Sequence, residues 1–84
     1  MPDARSPIRH HMVLHRRNPK QGRARFFSLM IERDLFRTIR LVRKWGRVGS
    51  KGQERGDIFP SEVEAARALE GWTETQWQKG YTEL

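Results

Sequence analysis

A period-two alternation of apolar and polar residues runs through three segments of the chain. In residues 8–15 the alternation is moderate, and in residues 25–32 aromatic and aliphatic side chains occupy both faces, as in a central strand. In residues 38–45, Ile39 and Leu41 share one face while cationic side chains take the other. The pattern predicts three β-strands, the third with a positively charged outer face.

Turn signals separate these strands. Residues 16–23 combine Asn-Pro and a glycine with basic residues, which predicts a basic loop. A turn into the third strand is expected at residues 33–36. Four glycines follow that strand, yet residues 53–59 are long enough to pair back on it. A fourth strand and a glycine-rich hairpin are therefore predicted.

Helical spacing begins at Ser61. This residue is the predicted N-cap, and Glu64, three residues later, is its capping-box partner. One side of the helix is apolar, formed by Val63, Ala66 and Leu69, with Ala65, Ala68, Trp72 and Trp77 extending it. Gly71 weakens the middle by about 1 kcal/mol relative to alanine, so a bend or an end is expected there.

Strands followed by one helix, whose apolar side needs a cover, predict an α+β fold. We expect a small antiparallel β-sheet of about four strands with one C-terminal α-helix packed across it. Residues 1–7 hold two prolines and no periodicity, which predicts a flexible arm, and residues 8–84 are expected to form a single domain. With 84 residues, the core is expected to be modest.

Charge is distributed unevenly along the chain. The formal net charge is +7 and the pI is about 11.1, above the value of about 9 at which a basic domain becomes a nucleic-acid candidate. Residues 1–60 hold 15 of the 17 Lys and Arg against five acids, whereas residues 61–84 hold two against five. The cations of residues 1–60 therefore repel one another unless a polyanionic partner neutralises them.

Enzyme and metal chemistry find no support in the sequence. There is no cysteine, and the three histidines lie on a predicted strand whose neighbouring residues point to opposite faces. The carboxylates of the helix stand where a helix presents charge to solvent, and no serine has a base and an orienting acid. We expect no catalytic residues, no metal site and no cofactor.

Membrane and export signals are also lacking. No apolar run approaches the roughly 20 residues that a bilayer span needs, and the N-terminus has no apolar signal-peptide region. The sequence predicts a cytoplasmic protein, nucleoid-associated if it is bacterial, without membrane partners. We expect it to be a monomer.

The stretch from Trp45 to Gln53 gathers an aromatic ring, two cations and an amide around one glycine-rich turn. Glycines let the backbone approach a phosphate or sugar closely, Arg47 and Lys51 supply charge, and a tryptophan at a strand end can stack on a base or ribose. The glycine spacing matches no nucleotide-triphosphate loop, because the turn leads into a strand.

Spacing alone allows a second interpretation of Trp45. The residue shares the face of Ile39 and Leu41, and a tryptophan in that position is simply part of the core. Arg43 lies on the same face, which suggests that the alternation fails near it. We expect this failure to turn Trp45 and Arg47 toward the basic surface.

Several motifs follow one another in a characteristic order. They are Arg25-Phe26-Phe27-x-Leu29, Asp34-Leu35-Phe36, Leu41-Val42-Arg43-x-Trp45-Gly46-Arg47-Val48-Gly49-x-x-Gly52-Gln53 and Gly80-Tyr81. Over about residues 12–81 the chain resembles a WGR domain, a family found alone in small bacterial proteins and as a module of the DNA-dependent poly(ADP-ribose) polymerases. The resemblance implies an antiparallel sheet with a helix packed across it.

The resemblance also implies a role for the triplet. In the polymerases the module contacts DNA near a strand break, which would place Trp45 against a terminal sugar or base and Arg47 on the backbone or a neighbouring domain. The sequence departs from the family pattern at Phe27, Arg37 and Gln76, where tyrosine, glycine and lysine are usual. ADP-ribosylation belongs to a separate domain of the polymerases and is not implied.

The expected function is that of a non-enzymatic nucleic-acid-binding module for DNA ends, nicks or distorted sites. The expected contact surface is a basic sheet face together with the Trp-Gly-Arg turn. Two alternatives stay open: a protein-interaction adaptor that uses Arg47 and the same turn, and a single-stranded RNA binder. The residues expected to contact nucleic acid are Arg25, Arg40, Arg43, Lys44, Trp45, Arg47, Lys51 and Gln53.

Overall fold

A computed structural model describes residues 9–18, 20 and 22–83, so the arm expected at residues 1–7 lies outside the described residues. Its elements are β1 (His11–Asn18), β2 (Arg23–Arg33), β3 (Ile39–Arg47), β4 (Gln53–Phe59), α1 (Glu62–Gln78) and β5 (Thr82–Glu83). All strand pairs are antiparallel, in the order β4-β3-β2-β1-β5. The predicted α+β arrangement is confirmed. The described sheet has five strands rather than about four, because the two-residue β5 adds to β1.

Strand β1 runs through part of the segment that was predicted to be a loop. Arg16 and Arg17 pair with Arg25 and Ala24, and the ladder continues to Asn18. The predicted loop over residues 16–23 is therefore wrong at both ends. Cross-strand pairing in the hairpin outweighs the local turn signal of the Asn-Pro pair, and two arginines become strand residues with defined faces.

The core lies between α1 and the sheet, with the helix across β2, β3 and β4. Its buried apolar residues are Met12, Leu14, Phe27, Leu29, Ile31, Ile39, Leu41, Ala65, Leu69 and Tyr81. The inward face predicted for β3, with Ile39 and Leu41, is thus confirmed. On the helix, Ala65 takes the inward position and Val63 is 52% exposed, so the apolar side is rotated from the one that spacing predicted.

Helix α1 begins where its capping residues predict. The Ser61 hydroxyl accepts a hydrogen bond from the Glu64 backbone N–H at 3.2 Å. Contrary to expectation, the helix passes through Gly71 without ending and continues to Gln78, because packing on the sheet outweighs the propensity cost of one exposed glycine. Within the described residues, no helix is both long and apolar enough to cross a membrane.

Candidate nucleic-acid interface

Trp45 is half-buried within an unbroken strand ladder. It pairs with Phe27 on one side and Gln53 on the other, and the pairing is continuous from Ile39 to Arg47. The expected failure of alternation near Arg43 is therefore wrong, since Arg43 keeps to the helix side with its side chain only 13% exposed. Trp45 accordingly belongs both to the edge of the core and to a surface.

Aromatic and acidic partners explain why an arginine is tolerated in this position. The Arg43 guanidinium lies 4.1 Å from the centre of the Trp72 ring and 5.7 Å from that of Trp45. Its Nη2 donates to Asp57 Oδ2 at 3.3 Å. These contacts offset the cost of burying the charge. The Nε atom is buried and has no hydrogen-bond partner among the described residues.

Phe27 lies at the centre of an aromatic cluster. Its ring is stacked with Trp45 at 6.2 Å and with Trp72 at 6.0 Å between centroids, and it meets Tyr81 edge-on at 6.2 Å. Such offset and edge contacts are the favoured geometries of aromatic pairs. The cluster packs Trp45 and Trp72 against Phe27 at the edge of the core.

These rings border a cavity of about 320 Å³, here called the basic cleft. Its lining residues are Arg16, Arg25, Phe27, Arg43, Trp45, Trp72, Gln76, Lys79 and Tyr81. Four cations converge from three strands and from the end of the helix, and no described carboxylate lines the cleft. Such a cleft concentrates positive potential and attracts anions, while its rings suit a flat apolar group.

The end of α1 closes one side of the basic cleft. Arg16 Nη1 donates to the backbone carbonyl of Lys79 at 2.9 Å, and its guanidinium lies 5.1 Å from the centre of the Tyr81 ring. Gly80, at φ +95°, turns the chain back from the helix toward Tyr81. A Cβ at Gly80 would lie 3.4 Å from Arg16 Cδ, so glycine permits this close fit.

A contact between two glycines shapes the turn after Trp45. A Cβ on Gly52, which has φ +68°, would collide with the carbonyl oxygen of Trp45, and one on Gly46 would lie 2.7 Å from Gly52 Cα. The Val48 N–H donates to the Ala24 carbonyl at 2.9 Å and fastens the turn to β2. The glycines therefore hold a rigid turn beside the basic cleft.

The structure brings five of the predicted contact residues to one side of the sheet. Arg25, Arg43 and Trp45 line the basic cleft. Arg47 pairs with Arg25 and Gln53 pairs with Trp45, so both lie on the same side, next to the cleft rather than in it.

The remaining three predicted residues lie elsewhere. Lys51 is exposed in the turn between β3 and β4. Arg40 and Lys44 lie on the sheet face that the helix leaves uncovered, where Lys44 Nζ is 3.6 Å from Glu54 and Arg40 is 4.0 Å from Asp34. The expected single basic sheet face is therefore wrong, because alternation sends neighbouring cations of β3 to opposite faces.

The contact residues predicted from the sequence left out several residues of the basic cleft. These are Arg16, Phe27, Trp72, Gln76, Lys79 and Tyr81. The sequence does contain a signal for Arg16. If β1 is continued to Asn18, alternation puts Arg16 on the same face as Met12 and Leu14. No such signal existed for Trp72 and Gln76, because their approach to β3 depends on how α1 packs across the sheet.

The histidines show no metal-site geometry. Among residues 9–18, 20 and 22–83, no three His, Asp or Glu side chains gather as a metal ion would require. His10 Nε2 lies 3.0 Å from Glu62, and this hydrogen bond, together with the charge of Arg33, lowers the pKa of Glu62. These contacts tie the start of α1 to the sheet.

Comparison with known proteins agrees with this geometry. The family model described as WGR domain matches residues 10–84. An uncharacterized protein of Sinorhizobium fredii, y4dW, is 36% identical over 70 residues, which cover 83% of this chain and 34% of that protein. A crystal structure of a Bacteroides fragilis protein matches with a TM-score of 0.68 and 26% identity, over 88% of this chain and 19% of that one. This chain thus spans about a third of the first and a fifth of the second.

Proposed function

Because this chain belongs to the WGR-domain family, a family of nucleic-acid-binding modules, we propose that it is a non-enzymatic DNA-binding module whose basic cleft takes a strand end, a nick or a distorted site. The observation that supports this proposal is the set of four cations and four aromatic rings around one cavity. A nucleotide matches both features, since its phosphate attracts cations and its sugar and base offer flat surfaces to rings.

The form of the basic cleft favours ends and nicks over intact duplex. A cavity of about 320 Å³ is near the lower limit of ligand sites, about the size for one nucleotide. Inside a duplex, each base is stacked on both faces and cannot enter without unstacking, which costs a few kcal/mol. At an end or nick, one stacking face is already free, so this cost is smaller.

Each contact residue has a distinct role in the proposal. Trp45 offers its ring to the sugar or base, and the positive charge of Arg43 beside it attracts the phosphate of the same nucleotide. Arg25 binds the adjoining phosphate. Beyond the cleft, Arg47 and Lys51 contact the backbone of the next nucleotides, with Gln53 beside Trp45.

A matched pair of double variants tests this proposal. Arg25→Ala/Lys79→Ala removes two charges from the basic cleft, and Arg40→Ala/Lys44→Ala removes two from the uncovered face. Fluorescence anisotropy then gives affinities for nicked, blunt-ended and hairpin-capped duplexes across a range of salt concentrations. Single-stranded RNA serves as a competitor.

We expect the cleft variant to bind nicked duplex at least about tenfold more weakly and to lower the salt slope by up to about 1.8, at about 0.9 per lost phosphate contact. The uncovered-face variant should keep most of the affinity for nicked duplex and most of the salt slope of the unmodified protein. Equal losses for the two variants, or a flat salt response of the unmodified protein, would contradict the proposal. Stronger competition by RNA than by nicked DNA would reassign the ligand to single strands.

A further inference from the structure

The turn between β2 and β3 presents two large apolar side chains to solvent. Leu35 is 98% exposed and Phe36 is 88% exposed, the highest values among the exposed large hydrophobic residues that the structure describes. Contiguous exposed apolar surface, unlike single scattered apolar residues, is a feature of interaction sites. Residues 34–38 are called the Leu-Phe turn below.

Hydrogen bonds hold the Leu-Phe turn in one conformation. Asp34 Oδ1 accepts from the backbone N–H groups of Phe36 at 2.8 Å and Thr38 at 3.0 Å, and the Arg37 N–H donates to the Asp34 carbonyl at 3.0 Å. Arg37 adopts φ +64°, a conformation that costs a non-glycine residue free energy. The apolar pair is therefore held ready for binding with little entropy left to lose.

The same chain contains a groove of matching chemistry on the side of α1 away from the basic cleft. The groove has a volume of about 360 Å³ and is lined by Arg9, Met12, Leu69, Glu70, Thr73, Glu74, Trp77 and Glu83. Its apolar lining residues are Met12, Leu69 and Trp77, of which Trp77 is 51% exposed. A cavity of about 150 Å³ can hold one benzene ring, so this space suffices for a phenyl group and a second aliphatic side chain. It is called the acidic groove below.

Charge at the rim of the acidic groove complements the Leu-Phe turn. Glu83 is engaged by Arg9 at 2.8 Å, whereas no ion pair joins Glu70 or Glu74 to another described residue. Arg37, which directly follows the apolar pair, is exposed and likewise has no described ion-pair partner. The charge of Arg37, next to Phe36, is thus complementary to that of Glu70 and Glu74, which line the groove together with Trp77.

From this complementarity we propose that the protein associates head to tail, with the Leu-Phe turn of one copy seated in the acidic groove of the next. Phe36 and Leu35 pack on the exposed side chain of Trp77, and Arg37 pairs with Glu70 or Glu74. This contact replaces the monomer that we expected from the sequence. It leaves the basic cleft open, because the two sites lie on opposite flanks of α1.

A second copy fits the Leu-Phe turn better than nucleic acid does. The cations near the turn are balanced by acids, with Arg33, Arg37 and Arg40 against Glu32, Asp34 and Glu62. A polyanion is therefore drawn to the opposite end of the sheet, where the basic cleft lies. The two ends of the module then serve different partners.

The proposed contact is small, which sets the concentrations at which it operates. Two large apolar side chains bury roughly 300 Å² on each partner, against about 800 Å² for a standard interface. We expect a dissociation constant on the order of 0.1–1 mM. Binding of several copies along one polyanion would raise their local concentration and make the contact significant.

Complementation between two variants tests the proposal. Leu35→Ser/Phe36→Ser removes the apolar pair, and Glu70→Arg/Glu74→Arg reverses the rim of the acidic groove; all four positions are exposed. Ile58→Ser/Val63→Ser is the matched control, since it removes two exposed apolar side chains elsewhere. Sedimentation equilibrium up to about 1 mM, without nucleic acid, gives the weight-average mass.

We expect the unmodified protein and the control to rise in mass with concentration, and each double variant alone to remain monomeric. An equimolar mixture should form 1:1 dimers, because one variant supplies an intact groove and the other an intact turn. A monomeric unmodified protein would overturn the proposal, as would either variant associating like the control.

Cysteine crosslinking provides a second measurement, because a disulfide traps the weakly populated complex covalently. The chain has no cysteine of its own, so Leu35→Cys and Glu70→Cys each introduce one thiol. A mixture of these two proteins under mild oxidant should form a disulfide-linked heterodimer at least about tenfold faster than Ile58→Cys mixed with Glu70→Cys. Equal rates would overturn the proposal.

Discussion

The Arg43 guanidinium lies 4.1 Å from the centre of the Trp72 ring, which places a cation on the core side of the sheet. The arginine meets only one described carboxylate, Asp57, and leaves its Nε without a partner. A group held in this way adds little to stability, because burying the charge costs about as much as its contacts return. We therefore expect the loss of its charge to cost little stability.

Replacement of Arg43 by methionine separates a role in binding from one in stability. Arg43→Met keeps an apolar chain of similar length against Trp72 and removes the charge. We expect the affinity for nicked DNA to fall about tenfold and the free energy of unfolding to change by less than about 1.5 kcal/mol. Anisotropy titration and urea denaturation measure the two quantities.

The neighbouring Lys44→Met is the control for charge loss, because Lys44 lies on the uncovered face next to Glu54. It should weaken binding by no more than about threefold. A fall in stability of more than about 3 kcal/mol for Arg43→Met, with affinity unchanged, would show that Arg43 is a structural residue.

Local signals were enough to predict most of the elements. Alternation in β2 put Phe27, Leu29 and Ile31 on one face, and the structure buries all three. The Ser61–Glu64 pair predicted the start of α1, which depends on a hydrogen bond between residues three apart. Such features are set by neighbours in sequence, so the sequence contains what is needed to find them.

The basic cleft could not be found in this way, because its residues meet only through tertiary packing. Arg43 was expected to break the alternation of β3. The alternation continues instead, because Trp72 of α1 packs against the Arg43 guanidinium on the helix side of the sheet. Arg16 was assigned to a loop because the Asn-Pro signal is local and the pairing with Arg25 is not. Lys79, the C-cap of α1, joins the cleft only through the packing of the helix on the sheet.

Gly52 should be the glycine of the β3–β4 turn that is least tolerant of substitution. In Gly52→Ala the new Cβ would meet the Trp45 carbonyl oxygen at φ +68°. We expect a loss of about 2–4 kcal/mol in unfolding free energy, from backbone strain and from displacement of the strand end. Gly49→Ala is the control: it has φ +92° but nothing within 4 Å of the new Cβ, so about 1 kcal/mol should be lost. Urea denaturation should rank the two variants in this order.

Arg37 should be a position where the natural residue lowers stability. It adopts φ +64°, where an L-residue is strained and glycine is not. We expect Arg37→Gly to raise the unfolding free energy by about 0.5–1 kcal/mol, since relief of strain exceeds the added entropy of the unfolded chain. Arg40→Gly, within β3, should instead lower it by about 1 kcal/mol. A lower urea midpoint for Arg37→Gly would contradict this account of the turn.

The Leu-Phe turn should loosen in acid through Asp34. The hydrogen bond from Thr38 to its carboxylate holds the pKa of Asp34 below the usual value of 3.8, with further contributions from Phe36 and Arg40. A carboxyl group whose pKa is depressed by folding stabilises the folded protein above its unfolded pKa. This stabilisation is lost as the pH falls through the lower, folded pKa.

We therefore expect the unfolding free energy of the unmodified protein to decline as the pH is lowered from about 5 to about 3. Asp34→Asn keeps an oxygen acceptor for the Phe36 and Thr38 N–H groups but cannot be protonated in this range, so its decline should be shallower. Asp34→Ala, which lacks the acceptor at every pH, should already be less stable near neutrality. Urea denaturation at several pH values compares the three proteins. Parallel declines for the unmodified protein and Asp34→Asn would show that another carboxylate governs the acid response.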